Sequence, residues 1–248
     1  MGGHEILQPL FNSPYFWTLL KNTFSISLYS LAAGFAPPII LALLLNHQRV
    51  QWFKKTVQTV SYAPHFISTV VLVGMLKLLL SPSTGIVNIV ISKLGGTPIH
   101  FFARADLFPS LYVWSGIWQN VGWSAIIYLS AMAGVSEELC EAGAIDGMGR
   151  LGIAIHITLP AILPTIVLLW IMQVGNVLSA GFDQHLIIGN TITQRYWEVI
   201  DTYTYRYGVQ NGYYSLGTAV SLMKSVIGFV LVLITNAIAR KVGDVGLF

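Results

Sequence analysis

Long apolar stretches, separated by short polar segments, dominate the pattern of the chain. A helix needs about 20 apolar residues to cross the hydrocarbon core of a bilayer, and five stretches reach that length: 22–45, 57–80, 108–135, 157–180 and 215–239. They lack the short polar–apolar alternation of an outer-membrane barrel. Because a helix satisfies its own backbone hydrogen bonds in lipid, the pattern predicts an all-α integral membrane protein with about five transmembrane helices.

Prolines lie inside or at the start of three predicted spans. Pro37 and Pro38 stand within the first span and Pro64 within the second, while Pro160 and Pro164 open the fourth. Proline lacks the N–H group that a helix interior uses, so it kinks, ends or begins a helix. We expect a kink, or a join between two helical pieces, at Pro37 and Pro38.

Composition supports the membrane class and argues against several others. Hydrophobic residues make up 54% of the chain and charged residues only 9%, whereas a soluble domain carries roughly 25% charged residues. So few charges cannot cover a water-facing surface, which excludes a soluble enzyme and a disordered chain. The 13 Lys and Arg residues are scattered, so we expect no nucleic-acid partner. The single cysteine, Cys140, excludes a disulfide framework.

Basic residues in the short loops predict the orientation, because they accumulate on the cytoplasmic side. Six lie on one side and four on the other: Arg49, Lys54, Lys55, Arg150, Arg240 and Lys241 against Lys93, Arg104, Arg195 and Arg206. This bias places the segment 135–156 and the C-terminal tail in the cytoplasm and the N-terminus outside. Residues 1–21 resemble neither a span nor a signal peptide, so we expect that an upstream helix is missing.

The segment 135–164 carries the most specific pattern. Ser136 is predicted to cap a helix whose first turn holds Glu137 and Glu138. Asp146 and Gly147 then end that helix with turn chemistry, and a second helical piece over about 150–157 leads into the next span. Small residues in the middle of the segment allow another protein to approach closely.

This segment resembles the EAA loop, the signature of the permease subunits of binding-protein-dependent ABC importers. The residues that carry the resemblance are Glu141, Ala142, Gly143, Asp146, Gly147, Leu159 and Pro160, with Gly143 standing where the family usually has alanine. Stretches along nearly the whole chain, such as 115–132 and 199–215, are similar to carbohydrate-uptake permeases of the oligosaccharide type. Those permeases usually have six spans, so the resemblance implies that the first one is absent here.

The resemblance implies a type I importer permease: one transmembrane domain over residues 1–248, multi-pass in the bacterial cytoplasmic membrane, with the coupling loop at 135–160. Such a subunit forms half of a pathway for a sugar or oligosaccharide. The implied partners are two ABC ATPase subunits, a second homologous permease, an extracellular solute-binding protein and the lipid bilayer. On this interpretation Glu141 and Asp146 contact the ATPase, and Gly147→Asp would uncouple it from the permease.

The chain itself is expected to be no enzyme and to hold no cofactor. It has no G-x-x-x-x-G-K-[ST] sequence, so ATP and Mg²⁺ belong to the ATPase partner. Residues 147–152 match G-x-G-x-x-G, but a helix precedes them and no acid follows at about 20 residues, so we expect no dinucleotide site. The six histidines show no metal-ligand spacing.

Polar residues inside the predicted spans are the candidates for the pathway, because they are costly in lipid and face a cavity or the helix bundle. The best candidates are Trp118, Gln119, Asn120, Trp123, Gln173 and Asn176. Ser115 shares a helical face with Gln119 and Trp123, and Asn22 and Tyr29 share one in the first span. For each residue the alternative is a hydrogen bond that joins helices.

The substrate and two other functions stay open at this level. Neutral hydrogen-bonding groups suit sugar hydroxyls, while Arg195, Arg206 and Lys224 leave an acidic sugar possible. An ion-coupled secondary transporter would need carboxylates within the membrane, and all ten acids lie outside the predicted spans. A truncated, non-transporting remnant of a permease is the other alternative, because one span is missing.

Overall fold

The computed structural model of the chain describes residues 14–191, 193–243 and 246. Every regular element in these ranges is helical, so the predicted all-α class is confirmed. The α-helices are α1 (Pro14–Asn46), α2 (Gln51–Tyr62), α3 (Thr69–Leu79), α4 (Ile86–Lys93), α5 (Phe108–Met132), α6 (Glu137–Ile145), α7 (Arg150–Ile153), α8 (Leu159–Ala161), α9 (Leu163–Gly175), α10 (Asp183–Ile188), α11 (Gln194–Trp197), α12 (Ile200–Thr204) and α13 (Tyr214–Gly243). Short 3-10 segments cover Ala63–Phe66 and Ala105–Leu107, and π-helical segments cover Ala154–Thr158 and Tyr205–Gln210.

Two to four candidate membrane spans are present in the described part of the chain. α1 and α13 are each long and apolar enough to cross a membrane. Two bent pairs add up to two more: Gln51–Phe66 with Thr69–Leu79, bent by 104°, and Arg150–Ala161 with Leu163–Gly175, bent by 63°. α5 has 25 residues, which is long enough for a span. It is not among these candidates, and it carries Gln119, Asn120 and five Trp and Tyr residues.

The prolines affect the helices differently. Pro37 and Pro38 lie inside one continuous α-helix, so the predicted alternative of a join between two pieces is wrong. Pro64 lies in the 3-10 segment at the sharper of the two bends. The predicted fourth span at 157–180 is shorter than expected, because its helix ends at Gly175 and a turn follows.

The chain forms two compact units. Among the described residues, the first comprises 14–30, 67–116, 176–191 and 193–229, and the second comprises 31–66, 117–175, 230–243 and 246. The helices α1, α5 and α13 contribute residues to both units.

The first unit has an apolar core into which aromatic side chains pack. Its buried members are Ile26, Val73, Phe108, Ala180, Ile188, Trp197 and Val199. Trp197 donates its indole N–H to the carbonyl of Asn190 at 2.7 Å, and Tyr112 donates its hydroxyl to the carbonyl of Ala180. Each polar group on these buried rings therefore has a backbone partner, as burial requires.

His185 is a buried titratable group of this core. Its ring lies 4.0 Å from the ring centre of Tyr112 and 5.4 Å from that of Phe108. Neither ring nitrogen has a hydrogen-bond partner within the described residues. Burial lowers the pKa of His185 from 6.5 to about 3, because the charged imidazolium loses its hydration. The folded protein therefore holds this side chain neutral.

Acid should destabilise the protein through His185. The pKa of the folded state lies below that of the unfolded chain, so below about pH 6.5 protonation favours the unfolded chain. At pH 5 the expected cost is about 2 kcal/mol. The His185→Phe variant should show a smaller drop in unfolding temperature between pH 8 and pH 5 than the parent, measured in detergent. His100→Gln, at an exposed position, is the control, and an unchanged drop in His185→Phe would contradict this assignment.

The second unit has its own apolar core. Its buried members are Ile39, Ala42, Ala125, Tyr128, Met132 and Ile162. The last turns of α1 and α5 thus pack together at one level. Beside this core, the backbone of α2 at Ser61 touches α5 at Gly122, where an added Cβ atom would lie 2.1 Å from the Ser61 carbonyl oxygen.

Candidate functional site

The loop 135–160 folds as a helix, a tight turn and a second helical piece. α6 ends at Ile145, and Gly147 adopts the left-handed conformation with φ +84°. The N–H of Gly147 donates to the carbonyl of Ala144 at 3.1 Å, and the N–H of Met148 donates to that of Gly143 at 2.9 Å. These two bonds form a Schellman motif, which satisfies the last carbonyls of a helix. The turn predicted at Asp146 and Gly147 is therefore present.

The two ends of this loop differ from the prediction in detail. Glu137 and Glu138 lie in the first turn of α6 as predicted, but the Ser136 side chain makes no capping hydrogen bond. Ser136 is exposed, so water is available to the first N–H groups instead. The second piece is α-helical only to Ile153 and continues as a π-helix over Ala154–Thr158.

Gly143 is the buried residue of α6. A Cβ atom at this position would lie 2.7 Å from Cδ1 of Ile157 and 3.4 Å from the sulfur of Met148. Alanine would therefore fit only if the end of the Ile157 side chain moved. Glycine at this position leaves the Ile157 side chain undisturbed.

An exposed surface surrounds the turn. Glu141, Ala142, Asp146 and Gly147 are exposed, Leu159 is half-buried and Pro160 is exposed at the start of α8. Large apolar side chains stand among them in the open, a group that we call the coupling surface: Leu139, Ile145, Met148, Leu151 and Ile155. Exposed apolar groups of this kind mark surfaces that contact another protein or a membrane. The sequence analysis missed these residues, although their place in a segment predicted to lie outside the membrane was the available signal.

The pathway candidates on α5 meet the helix break that follows α2. The Nδ1 atom of His65 lies 2.9 Å from Oδ1 of Asn120. The His65 ring stacks on the indole of Trp123 at 4.5 Å with an interplanar angle of 4°, and Phe66 meets the same indole edge-on. Trp123 is 45% exposed and Trp118 is 47% exposed. His65 was not predicted as a pathway residue, and the neighbouring Pro64 was the signal in the sequence.

Ser115 and Asn176, which the sequence placed among or beside the pathway candidates, lie outside this group. Ser115 is buried and its hydroxyl accepts a hydrogen bond from Nε2 of Gln184 at 2.7 Å. Gln173 is exposed on α9, but Asn176 follows the end of that helix and lies in a turn closed by the N–H of Ser179 at 2.8 Å. Gln173 and Asn176 are both predicted to lie in the fourth span, but because the helix ends at Gly175 they do not share a helical face. Gln119 is half-buried.

The polar residues of the first predicted span join elements to one another. Asn22 donates from Nδ2 to the carbonyls of Arg195 and Glu198 at 2.9 and 3.0 Å. The hydroxyl oxygen of Tyr29 accepts a hydrogen bond from the indole of Trp114 at 3.0 Å. For Asn22 and Tyr29 the structural alternative, a hydrogen bond between elements, is the one observed.

Two cations that left an acidic sugar possible are paired inside the chain. Arg206 contacts Oε1 of Glu198 at 2.6 Å, and Glu198 is 1% exposed. Lys224 forms an ion pair with Asp201, and both side chains are largely buried. Arg195 is exposed and has no ion-pair partner within the described residues. Arg206 and Lys224 therefore carry no uncompensated charge for a substrate.

The described residues lack two other features, a metal site and acidic residues within the candidate spans. They contain no group of three His, Cys, Asp or Glu side chains that could hold a metal ion. The candidate spans of the described part contain no Asp or Glu, which an ion-coupled carrier would need.

Comparison with known proteins places the chain among transport proteins. Residues 38–244 match the family described as "Binding-protein-dependent transport system inner membrane component". The chain is 42% identical to the polygalacturonan/rhamnogalacturonan transport system permease protein YteP of Bacillus subtilis (strain 168) over 96% of its own length and 74% of that protein. It is 39% identical to Protein LplB of the same strain over 99% of its length and 77% of that protein.

Solved structures agree in fold. The chain is 36% identical to a chain of a bacterial ABC transporter involved in the import of the acidic polysaccharide alginate. The match has a TM-score of 0.93 and covers 98% of this chain and 85% of that one. The same transporter type in complex with an alginate pentasaccharide-bound periplasmic protein matches with a TM-score of 0.92. The matched residues, the relatives and the shared fold together show that the chain belongs to the family of binding-protein-dependent transport system inner membrane components.

Proposed function

We propose that the chain is the permease subunit of an ATP-driven importer and forms half of a pathway for an oligosaccharide that an external binding protein delivers. The observation that carries the proposal is the coupling surface: exposed apolar residues around a Schellman turn at Gly147. Exposed apolar side chains beside charged residues on a loop suit contact with a partner protein, which supports the proposal.

The substrate class follows from the relatives. The names of one relative and of one solved structure refer to polygalacturonan or rhamnogalacturonan and to alginate, and the latter is described as an acidic polysaccharide. We therefore take an oligosaccharide that bears carboxylates as the substrate of this chain. Arg206 and Lys224 do not bind the carboxylates of this substrate, because Glu198 and Asp201 already neutralise them.

The proposed assembly holds two ABC ATPase subunits, a second homologous permease and the binding protein, in the bacterial cytoplasmic membrane, with several spans in this chain. ATP moves the pathway only if it stabilises one of its two states more than the other. Glu141 and Asp146 are placed to contact the ATPase, since both are exposed beside the turn.

For the pathway itself we propose Trp118, Gln119, Asn120, Trp123 and Gln173, and we add His65, whose ring contacts Asn120. The exposed indole faces offer stacking surfaces for sugar rings, and the amide groups offer neutral hydrogen bonds to hydroxyls.

The first test is purification of the tagged chain from mild detergent after co-expression with its genomic neighbours. We expect a P-loop ATPase and a second permease to co-purify. Uptake of trigalacturonate by cells should then stop when ATP is depleted. Uptake that survives ATP depletion but stops when the ion gradient collapses would favour a secondary transporter instead.

Replacing Gly147 by valine should uncouple the ATPase from the permease. A β-branched residue is strained at φ +84°, so the Schellman turn opens and the orientation of α6 changes. We expect ATP-driven uptake to fall at least tenfold, with the amount of the chain in the membrane unchanged. Uptake in proteoliposomes and stimulation of ATP hydrolysis by the loaded binding protein are the measurements.

Gly149 provides the matched control for that variant. It lies two residues away with φ −72°, and a Cβ atom added there meets nothing within 4 Å, as at Gly147. Gly149→Val should therefore keep coupling, and Gly147→Asn should be milder than Gly147→Val because asparagine tolerates the left-handed region. Normal coupling in Gly147→Val would contradict the assignment of this loop.

A further inference from the structure

α2 has a polar face and an apolar face along its whole length. Spacing of three and four residues places four polar side chains on one face of the helix: Gln51, Lys55, Gln58 and Tyr62. The opposite face carries Trp52, Phe53, Thr56 and Val60. α2 contains no fully buried residue. Gln51 and Lys55 are exposed, while Gln58 and Tyr62 of the polar face are half-buried.

The contact between Ser61 and Gly122 shows how deep α2 lies. Gly122 precedes the end of α5 at Met132 by ten residues, which is about 15 Å of helix. Ser61 follows Gln51 by ten residues, again about 15 Å. α1 and α5 share the second core, and four residues separate α1 from α2. We therefore infer that α2 begins near the end of α5 and runs back along it. It therefore crosses about 15 Å, half of the hydrocarbon core.

Lys55 and Gln58 follow Gln51 by four and seven residues, which is about 6 and 10 Å of helix. A lysine in the hydrocarbon core costs about 2.5–3.5 kcal/mol even on the mildest scale, so we infer that this face meets water or protein. The other face suits lipid, since Trp52 is 75% exposed and Val60 is 68% exposed.

We propose that the polar face of α2 lines a water-filled inner half of the transport pathway, along which the saccharide leaves, and that Lys55 meets its carboxylates. This proposal rests on the proposed function. The next step of the same spacing after Tyr62 is His65, whose ring contacts Asn120, so the polar face leads to the pathway group on α5.

The charge on this face is free for a ligand. Neither Lys54 nor Lys55 forms an ion pair within the described part of the chain, in contrast to Arg206 and Lys224. An acidic saccharide is complementary to such a face, and a neighbouring apolar permease surface is not.

Cysteine labelling tests the proposal without a substrate. Cys140 is the single cysteine of the chain, so Cys140→Ser provides the background. Gln58→Cys and Val60→Cys then place thiols at nearly the same depth on opposite faces of α2. In inside-out vesicles that hold the assembled transporter, a charged methanethiosulfonate reagent should modify Gln58→Cys at least tenfold faster. Equal rates, or no reaction at Gln58→Cys in any nucleotide state, would overturn the proposal and place protein against this face.

The role of Lys55 has its own measurement. Lys55 lies one turn before Gln58, where its charge attracts an anionic reagent and repels a cationic one. The ratio of the rates of the sulfonate and the trimethylammonium reagents at Gln58→Cys should fall at least threefold in Lys55→Met and stay unchanged in Lys55→Arg. An unchanged ratio in Lys55→Met would overturn the charge role.

Labelling and transport can fail separately. If Gln58→Cys is labelled and Val60→Cys is not, the water-filled face stands even where the parent shows no ATP-driven uptake of trigalacturonate, and the transport proposal alone fails. If uptake is normal and the reagent does not modify Gln58→Cys, the polar face of α2 is not part of the pathway, and the transport proposal stands.

Discussion

Arg206→Met should strongly destabilise the first unit. The variant removes the guanidinium 2.6 Å from Oε1 of Glu198 and leaves that carboxylate, which is 1% exposed, without a cation. Tyr15 and Gln194 also donate to it, but neutral donors do not replace the lost charge. Removing one partner of a fully buried pair costs about 3–5 kcal/mol. Because the Arg206 side chain is 33% exposed, we expect a loss at or below the low end of that range. We expect a clearly lower unfolding temperature in detergent and less protein in the membrane.

The chain offers a matched control for this variant. Arg104 and Asp106 also form a close ion pair, but their side chains are 53% and 60% exposed, and an exposed pair contributes about 0–1 kcal/mol. Arg104→Met should therefore change little. The double variant Arg206→Met with Glu198→Gln should recover most of the loss, because no buried charge is left. Equal stability of Arg206→Met and Arg104→Met would show that Glu198 is not held by Arg206.

Gly122→Ala should displace α2 from α5. The added Cβ atom would lie 2.1 Å from the carbonyl oxygen of Ser61 and 2.4 Å from its carbonyl carbon, and these backbone atoms can move only with the helix. Overpacking of this kind costs about 1–3 kcal/mol. Because His65 and the polar face of α2 move with the helix, ATP-driven uptake should fall at least tenfold, measured in proteoliposomes together with the unfolding temperature.

Gly116 on the same helix separates this steric effect from a general effect of alanine. A Cβ atom added there meets Oε1 of Gln184 at 3.8 Å, an ordinary contact. Gly116→Ala should be neutral or stabilising, since alanine favours a helix over glycine by about 1 kcal/mol. Wild-type uptake and stability in Gly122→Ala would contradict the close contact between α2 and α5.

Features that depend on neighbouring residues were readable from the sequence. The apolar runs predicted an all-helical membrane chain because their length matches a bilayer, and the structure confirms the helical class. Asp146 and Gly147 predicted the turn of the coupling loop, because a helix end needs a residue that tolerates positive φ. The resemblance of the same loop identified the family, which the comparisons confirm.

Helix continuity was harder to predict. The same residue type leaves α1 intact at Pro37 and Pro38 but stands at the sharp bend at Pro64. A proline removes one hydrogen bond in every case, and packing around it decides whether the helix continues. The end of α9 at Gly175, before the predicted end of the fourth span, is a further case.

Pairings between remote residues were decided only by the tertiary structure. Three contacts illustrate this: Asn22 with Glu198, His65 with Asn120, and Gly122 with Ser61. The partners lie 55 to 176 positions apart in the sequence. Periodicity places a polar side chain on a face, but the partner of that face depends on which helices pack together. For this reason the sequence could list the polar candidates of the membrane segments, and only packing could separate those that join helices from those that stay exposed.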